Sequence, residues 1–451
     1  MSKYSFFKPS ILLATFNLTL FILLTSSVVF NQATAGYFSG NQLFVSPTGD
    51  DDVTRENNNI DNPWLTVNKA LLTAEAGDVV NFRRATYNID SPIDTMFEGS
   101  NGTVNNRITF TNYQDEIVLF SSLTGNKISI DKKYWTFSGI NGESNLTLFN
   151  IGQGSFGTAD NFILEKGTMT QTEEGGAANV SPVLFQTSGA KNGVVRNMRF
   201  IGPGKDLNEN TAGVFAFRSQ GLKVLNNEFT GFPSAVFYKH PGVPNHTGIE
   251  IAYNYFHDNQ AGIKSSSIFA YIHDNLFVDS SFVMGQGSGI GDDGNNAGAD
   301  NNYISHNSFY NSELELVGLD GEGFGAMNNN VINNVFTKTL KLFRYKDIDH
   351  KNKTDFNLYP LSDDAVASNI TTYTLIQWQN FYMQDANSIS DSATFVGGSE
   401  LTKVTDYALV ANSPGTNVAS EGRDMGANIA LVGIGKNLIS TTNPPNNIIT
   451  D

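Results

Sequence analysis

Between residues 222 and 336 the chain alternates apolar and polar positions in short bursts. The bursts are Leu222-Lys223-Val224-Leu225, Gly248-Ile249-Glu250-Ile251, Phe269-Ala270-Tyr271-Ile272, Asn302-Tyr303-Ile304-Ser305 and Asn330-Val331-Ile332-Asn333. Each runs into an Asn-x-Phe triplet, and the triplets begin at Asn227, Asn254, Asn275, Asn307 and Asn334. Alternation at a period of two gives a strand with one face inward and one outward. The asparagines and glycines between bursts suit turns that need left-handed backbone. The shortest step, 21 residues from Asn254 to Asn275, holds one coil of three short strands and three turns. The pattern therefore predicts a right-handed parallel β-helix, in which longer steps are the same coil with inserted loops. Asparagines recurring at one corner predict a ladder of stacked amides, and the phenylalanines predict an interior stack beside it.

The flanks fit a solenoid. Residues 62–76, NPWLTVNKALLTAEA, predict an amphipathic helix with Val67, Ala70, Leu71 and Ala74 on one side, suited to cover the open end of a coil stack. Residues 1–35 read as an export leader. Lys3 and Lys8 precede an apolar run from Ile11 to Phe30, and Ala33-Thr34-Ala35 is a small-residue cleavage motif. The expected layout is a leader over 1–35, one β-helix domain over 36–434 and a tail over 435–451. The expected location is outside the cytoplasm: secreted, periplasmic or on the cell surface, with no stable membrane insertion once the leader is cut. The chain has no cysteine, so burial and hydrogen bonds must hold the exported protein together.

Charge narrows the partners. The formal net charge is −16, and removing residues 1–35, with two lysines and no acid, leaves −18. Such a chain is a poor generic partner for nucleic acid or anionic lipid. An anionic ligand would need a local basic patch or a bound cation. A monomer is expected.

Two segments carry a family resemblance. LFVSPTGDDD through NPWLTVNKALLTAEAGDVVNFRRATY (Leu43 to Tyr87) resembles the N-terminal signature of secreted right-handed β-helix proteins of the pectate-lyase-like superfamily. DYALVANSPGTNVASEGRDMGA (Asp406 to Ala427) is similar to the closing segment of such proteins. The resemblance implies the fold and a carbohydrate substrate. It does not select an activity, because the superfamily holds lyases, hydrolases, epimerases and adhesins.

Insertions gather on the working face of a solenoid. Here loops at 241–248, 286–301, 318–329 and from 347 onward follow one column of strands. In Ala261-Gly262-Ile263-Lys264-Ser265, Ile263 points in and Lys264 out; in Glu313-Leu314-Glu315-Leu316, both glutamates point out. Lys239 is taken as outward, although the parity of its strand is open because Phe237 could serve as core. With Arg218 also outward, Arg218, Lys239 and Lys264 are expected to stack as neighbouring cations on coils about 4.8 Å apart.

Those residue types suit β-elimination. A polysaccharide lyase removes the proton α to a uronate carboxylate and needs a base, plus positive charge on the carboxylate as enolate character develops. Neighbouring cations favour the neutral form of a lysine, so it can act as that base. Lys264 is the favoured base, Lys239 and Arg218 the carboxylate clamp, and His240 an alternative acid or base. Tyr238, Tyr345, Glu313 and Glu315 are expected to contact substrate. Asp292, Asp293 and Asp320 offer hard oxygen ligands for Ca²⁺ as a candidate cofactor. GIKSSS followed by HDNLF is similar to the Lys-Ser-Ser segment of alginate lyase and chondroitinase-B-like enzymes, which implies the base role for Lys264. The chain departs from that family in having no arginine one coil later, where Met284-Gly285 fall, and in placing its Glu-x-Glu pair after the lysine.

The expected function is thus a polysaccharide lyase acting on an acidic, uronate-containing polysaccharide. The alternatives are a glycoside hydrolase using Asp292, Asp293, Glu313 and Glu315 as acid and base, and a glycan-binding surface protein without catalysis.

Overall fold

Alternating strands that recur once per coil can only satisfy their backbone by pairing with the coils above and below. A computed structural model shows this arrangement and describes residues 40–152, 159–173, 180–185, 190–207, 210–217, 219–239, 248–285, 299–316, 326–338, 340–342, 352–368 and 371–436. One coil runs through Lys223–Leu225 in sheet 1, Glu228–Thr230 in sheet 2 and Ser234–Lys239 in sheet 3, then re-enters sheet 1 at Glu250–Ala252. Among the described residues each sheet holds twelve strands. Their pairing is parallel except where Thr371–Tyr373 turns back on Val366–Ser368 in sheet 3. The fold is the right-handed parallel β-helix that the 21-residue step predicts.

Register is set by what each row buries. In sheet 1, Val224, Ile251, Ile272, Ile304 and Val331 lie side by side and inward. In sheet 2, Phe200, Phe229, Phe256, Phe277, Phe309 and Phe336 form one interior stack, with successive ring centroids 4.7 to 5.1 Å apart. A one-residue slip would move each row to the outer face, so the period-two pattern fixes the pairing.

The amide ladder forms as expected and runs one coil further, from Asn227 to Asn357. Each Asn donates from Nδ2 to the Oδ1 of the next at 2.9 to 3.1 Å. The same Oδ1 also accepts the preceding ladder residue's backbone N–H. The residue before each rung holds positive φ, at Asn226, Tyr253, Asp274, His306, Asn333 and Phe356. A second ladder at the corner entering sheet 1 links Asn302, Asn329 and Asn352.

Both ends are covered. The first helix, α1 (Val67–Thr73), is shorter than the predicted amphipathic stretch. Thr66 caps it by accepting from the Lys69 N–H, and Val67, Ala70 and Leu71 join the core. At the far end, α2 (Leu375–Tyr382) begins with a capping box at Thr374 and Gln377. It buries Trp378, whose indole N–H donates to Asp385 at 3.0 Å. No helix among the described residues is long and apolar enough to cross a membrane. The leader over 1–35 lies outside the described residues, as does the tail from residue 437.

The segment that resembles a β-helix closing segment lies along the side of the stack. Residues 395–435 return along the outer face of sheet 2 as a clasp. Tyr407, Ile429 and Val432 pack on Leu276, and Phe395 and Met425 on Val335 and Leu358. Its backbone bonds to the turn corner, from Gly426 to Asn333 at 2.7 Å and from Gly433 to Tyr253 at 2.8 Å. Arg423 reaches Asp274 at 3.1 Å. Asp274 in turn holds His273, which also faces Glu250, itself paired with Lys223.

Ionisation in this network has a defined pH dependence. Burial pushes Glu250 up, but hydrogen bonds from His273 and Lys223 outweigh it and hold its carboxyl at about 2. Asp274 is likewise held low against burial by His273 and Arg423. Burial would lower His273, yet bonds to Asp274 and Glu250 raise it above the usual imidazole value. A lowered carboxyl stabilises the fold above its unfolded pKa, and this is lost as pH falls through the folded value. A raised imidazole stabilises it below about 6.5, and this is lost as pH rises through the folded value. The fold is therefore expected to be most stable from about pH 4.5 to 6.5. The melting temperature should fall on the alkaline side as His273 loses its proton, and His273→Gln should flatten that arm. An unchanged alkaline arm in the variant would refute the assignment.

Candidate active site on the outer face of sheet 3

The strand Ser234–Lys239 decides how sheet 3 presents its side chains. Val236 and Tyr238 join the core, so Phe237 and Lys239 face outward. On the next coil Ile263 is opposite Val236 and Lys264 opposite Phe237. Following the register gives one outer row: Leu184, Phe215, Phe237, Lys264, Val283 and Glu315. Leu314 and Leu316 are fully buried, so Glu313 and Glu315 face out as expected, both half-buried.

Lys239 and Lys264, the two described cations of the expected stack, are not in register with each other. Lys264 is flanked in its row by Phe237 and Val283, and the residue in register with Lys239 is Phe217. The two lysines meet instead over one ring. Lys264 Nζ lies 5.1 Å and Lys239 Nζ 5.5 Å from the Phe237 ring centroid, and Phe215 supports that ring from behind at 5.0 Å. Aromatic faces attract ammonium groups, more strongly where water is excluded. Lys264 is only 4% exposed and Phe237 1%, so this pairing sits largely out of bulk water. Glu315 stands two coils along the same row, about 10 Å away by strand spacing.

Tyr238 corrects the sequence expectation. Its side chain is 2% exposed, its ring belongs to the core, and its hydroxyl donates to the Ser219 carbonyl. Burial pushes that hydroxyl's pKa up, so it stays a donor. An inward tyrosine cannot stack on a sugar, and Phe237 takes the outward place that sequence parity left open.

The serines after Lys264 belong to the scaffold. Ser265 Oγ donates to Ser267 Oγ at 2.8 Å, and Ser267 Oγ to Asn302 Oδ1 at 3.3 Å, tying the strand to the second amide ladder. Gly262 answers a steric need. A Cβ there would lie 2.9 Å from both Phe256 Cβ and Phe277 Cδ1, inside the phenylalanine stack. Lys264 is thus fixed from both sides, by a strand pressed on the aromatic column and by a serine turn anchored in amides.

Arg218, His240, Tyr345, Asp292, Asp293 and Asp320 lie outside the described residues. Among the described residues no group of three or more histidines or carboxylates converges to hold a metal ion.

A three-sided parallel coil stack of this kind defines the right-handed parallel β-helix fold. No protein-family model matches the chain, and no curated protein is similar to it. Solved structures are. A mannuronic acid specific polysaccharide family 6 lyase from human gut microbiota superimposes with a TM-score of 0.50 at 12% identity, over 73% of this chain and 83% of that one. The PL6 family alginate lyase AlyGC gives a TM-score of 0.51 at 13% identity, over 89% of this chain and 60% of that one. At such identities the likeness is one of fold.

Proposed function

We propose that the protein is an exported lyase that cleaves a uronate-containing polysaccharide by β-elimination on the outer face of sheet 3. The observation that carries this reading is the placement of Lys264 and Lys239 over one outward ring, with Lys264 largely out of bulk water. Lys264 takes the proton α to the uronate carboxylate. Lys239 neutralises the carboxylate as negative charge spreads onto it. The electron pair then expels the 4-linked sugar oxygen, which takes its proton from the Lys264 ammonium so formed, and leaves a carbon–carbon double bond in the new chain end. Glu313 and Glu315 border the same face and would contact hydroxyls of the polymer. Arg218 and His240 follow Phe217 and Lys239 directly in the chain, and remain candidates for the clamp and for an alternative acid or base. Ca²⁺ on Asp292, Asp293 and Asp320 remains a candidate cofactor, and no step above is routed through it. The fold that the chain shares with polysaccharide lyases supports the reaction class.

The test is a panel of uronate polysaccharides, with and without chelator. Formation of an ultraviolet-absorbing unsaturated product is the expected result. Reducing ends without that absorbance would mean hydrolysis, and binding without either product would mean a non-catalytic glycan binder; each overturns the proposal.

A further inference from the structure

The outer row of sheet 2 changes character along the stack. Running back from the C-terminal end it reads Leu358, Val335, Ser308, Leu276, Tyr255, Glu228, Arg199, Thr168. The apolar portion lies under the clasp. The described part of the clasp reaches the point where the row becomes polar: the Gly435 N–H donates to Asn197 Oδ1 at 3.0 Å, and Lys436 follows. Beyond that point lies an open pocket of about 620 Å³, lined by Asn141, Lys166, Thr168, Asn197, Arg199 and Lys436 among others. Three cations of a strongly acidic protein therefore gather around one concavity. Two have an acidic neighbour: Arg199 pairs with Glu228 at 2.9 Å, and Lys166 lies 3.7 Å from Glu165. Their side chains nevertheless remain 51% and 66% exposed.

We propose that this pocket binds a carboxylate-bearing sugar unit of the polymer, at a site separate from the face that carries Lys264. Its volume is in the range of sites that hold small molecules. Its lining pairs cations for a carboxylate with amide and hydroxyl groups for sugar oxygens, a mixture that a purely electrostatic ion patch would not need. The pocket lies at the corner of sheets 1 and 2, whereas Lys264 is on sheet 3, so a chain held there leaves the candidate active face open. The ligand class rests on the proposed acidic substrate; the existence of an anionic sugar site does not require that the protein be a lyase.

The experiment is titration of a short oligouronate into full-length Lys264→Ala protein, followed by calorimetry, against the same protein also carrying Lys166→Gln and Lys436→Gln. Removing the cations should weaken one binding event by roughly tenfold for each, and added salt should weaken it further. Arg199→Gln is a second, independent variant, and an unchanged melting temperature shows that each is folded. Unaltered binding in these variants would overturn the site. Equal displacement by acetate or sulfate, or equal binding of a neutral oligosaccharide, would overturn the sugar assignment. Loss of the pocket's binding in these variants, with the parent protein itself making no unsaturated product from any polyuronate, would uphold this site while removing the lyase reading.

Discussion

Lys264→Ala is expected to lower turnover on the cleaved polyuronate by roughly 10²- to 10⁴-fold, the usual worth of a positioned general base. The side chain is 4% exposed and packs against Phe237, so alanine would also remove packing. Lys264→Met is the necessary companion, because it keeps an apolar stem over the ring and removes only the amine. Lys264→Arg keeps the charge but gives up the base, and should be as inactive as the methionine variant. If Lys264→Met melts like the parent and retains more than a tenth of the parental rate, Lys264 is not the base. Lys239→Ala should act differently, raising KM along with its loss in kcat, because a carboxylate clamp also binds the ground state.

Asn275→Ala should be the most damaging single change in the scaffold. The side chain is fully buried. Its Oδ1 accepts from Asn254 N and Nδ2, and its Nδ2 donates to the Ile251 and His273 carbonyls and to Asn307 Oδ1. Alanine strands several of these groups in the interior, each costing about 1–3 kcal/mol, for a total loss of roughly 3–5 kcal/mol. In a one-dimensional fold, such a break at a central rung should also uncouple its two halves. Chemical denaturation would then show a split or broadened transition where the parent shows one. A cooperative transition displaced by less than 1 kcal/mol would sink the idea that the ladder is a principal source of cohesion.

Much of this scaffold was readable because a solenoid writes its third dimension into its period. The Asn-x-Phe spacing located the ladder and the aromatic stack, and apolar alternation within single strands gave the parity of Ile263, Lys264, Glu313 and Glu315. The last rung escaped because Asn357-Leu358-Tyr359 replaces the phenylalanine, although Tyr359 extends the stack at 5.6 Å. The Asn302 ladder escaped because its asparagines precede strands without an invariant aromatic. Parity was weakest in Ser234–Lys239, where apolar residues occupy successive positions and alternation says nothing; only pairing with Ile263 and Lys264 decides that Tyr238 goes in. Lateral alignment was harder still. Loops of unequal length separate the strands, so counting residues could not show that Phe217, and not a second cation, lies beside Lys239. The basic pocket had no sequence signal, because Lys436 joins Lys166 and Arg199, which lie on adjacent coils, only through the returning clasp.

That clasp sets an order of events for a chain made from its N-terminus. Neighbouring rungs are 21 to 32 residues apart, so coils can wind one after another as the polypeptide emerges. The bonds from Asn226 to Leu431 and from Asn197 to Gly435 span 205 and 238 residues, and cannot form until those later residues have been made. Until then Leu276, Val335 and Leu358 remain an uncovered greasy stripe on an otherwise wound rod. A product truncated before residue 395 would keep that stripe permanently, giving proteases and chaperones a physical means of telling unfinished molecules from complete ones.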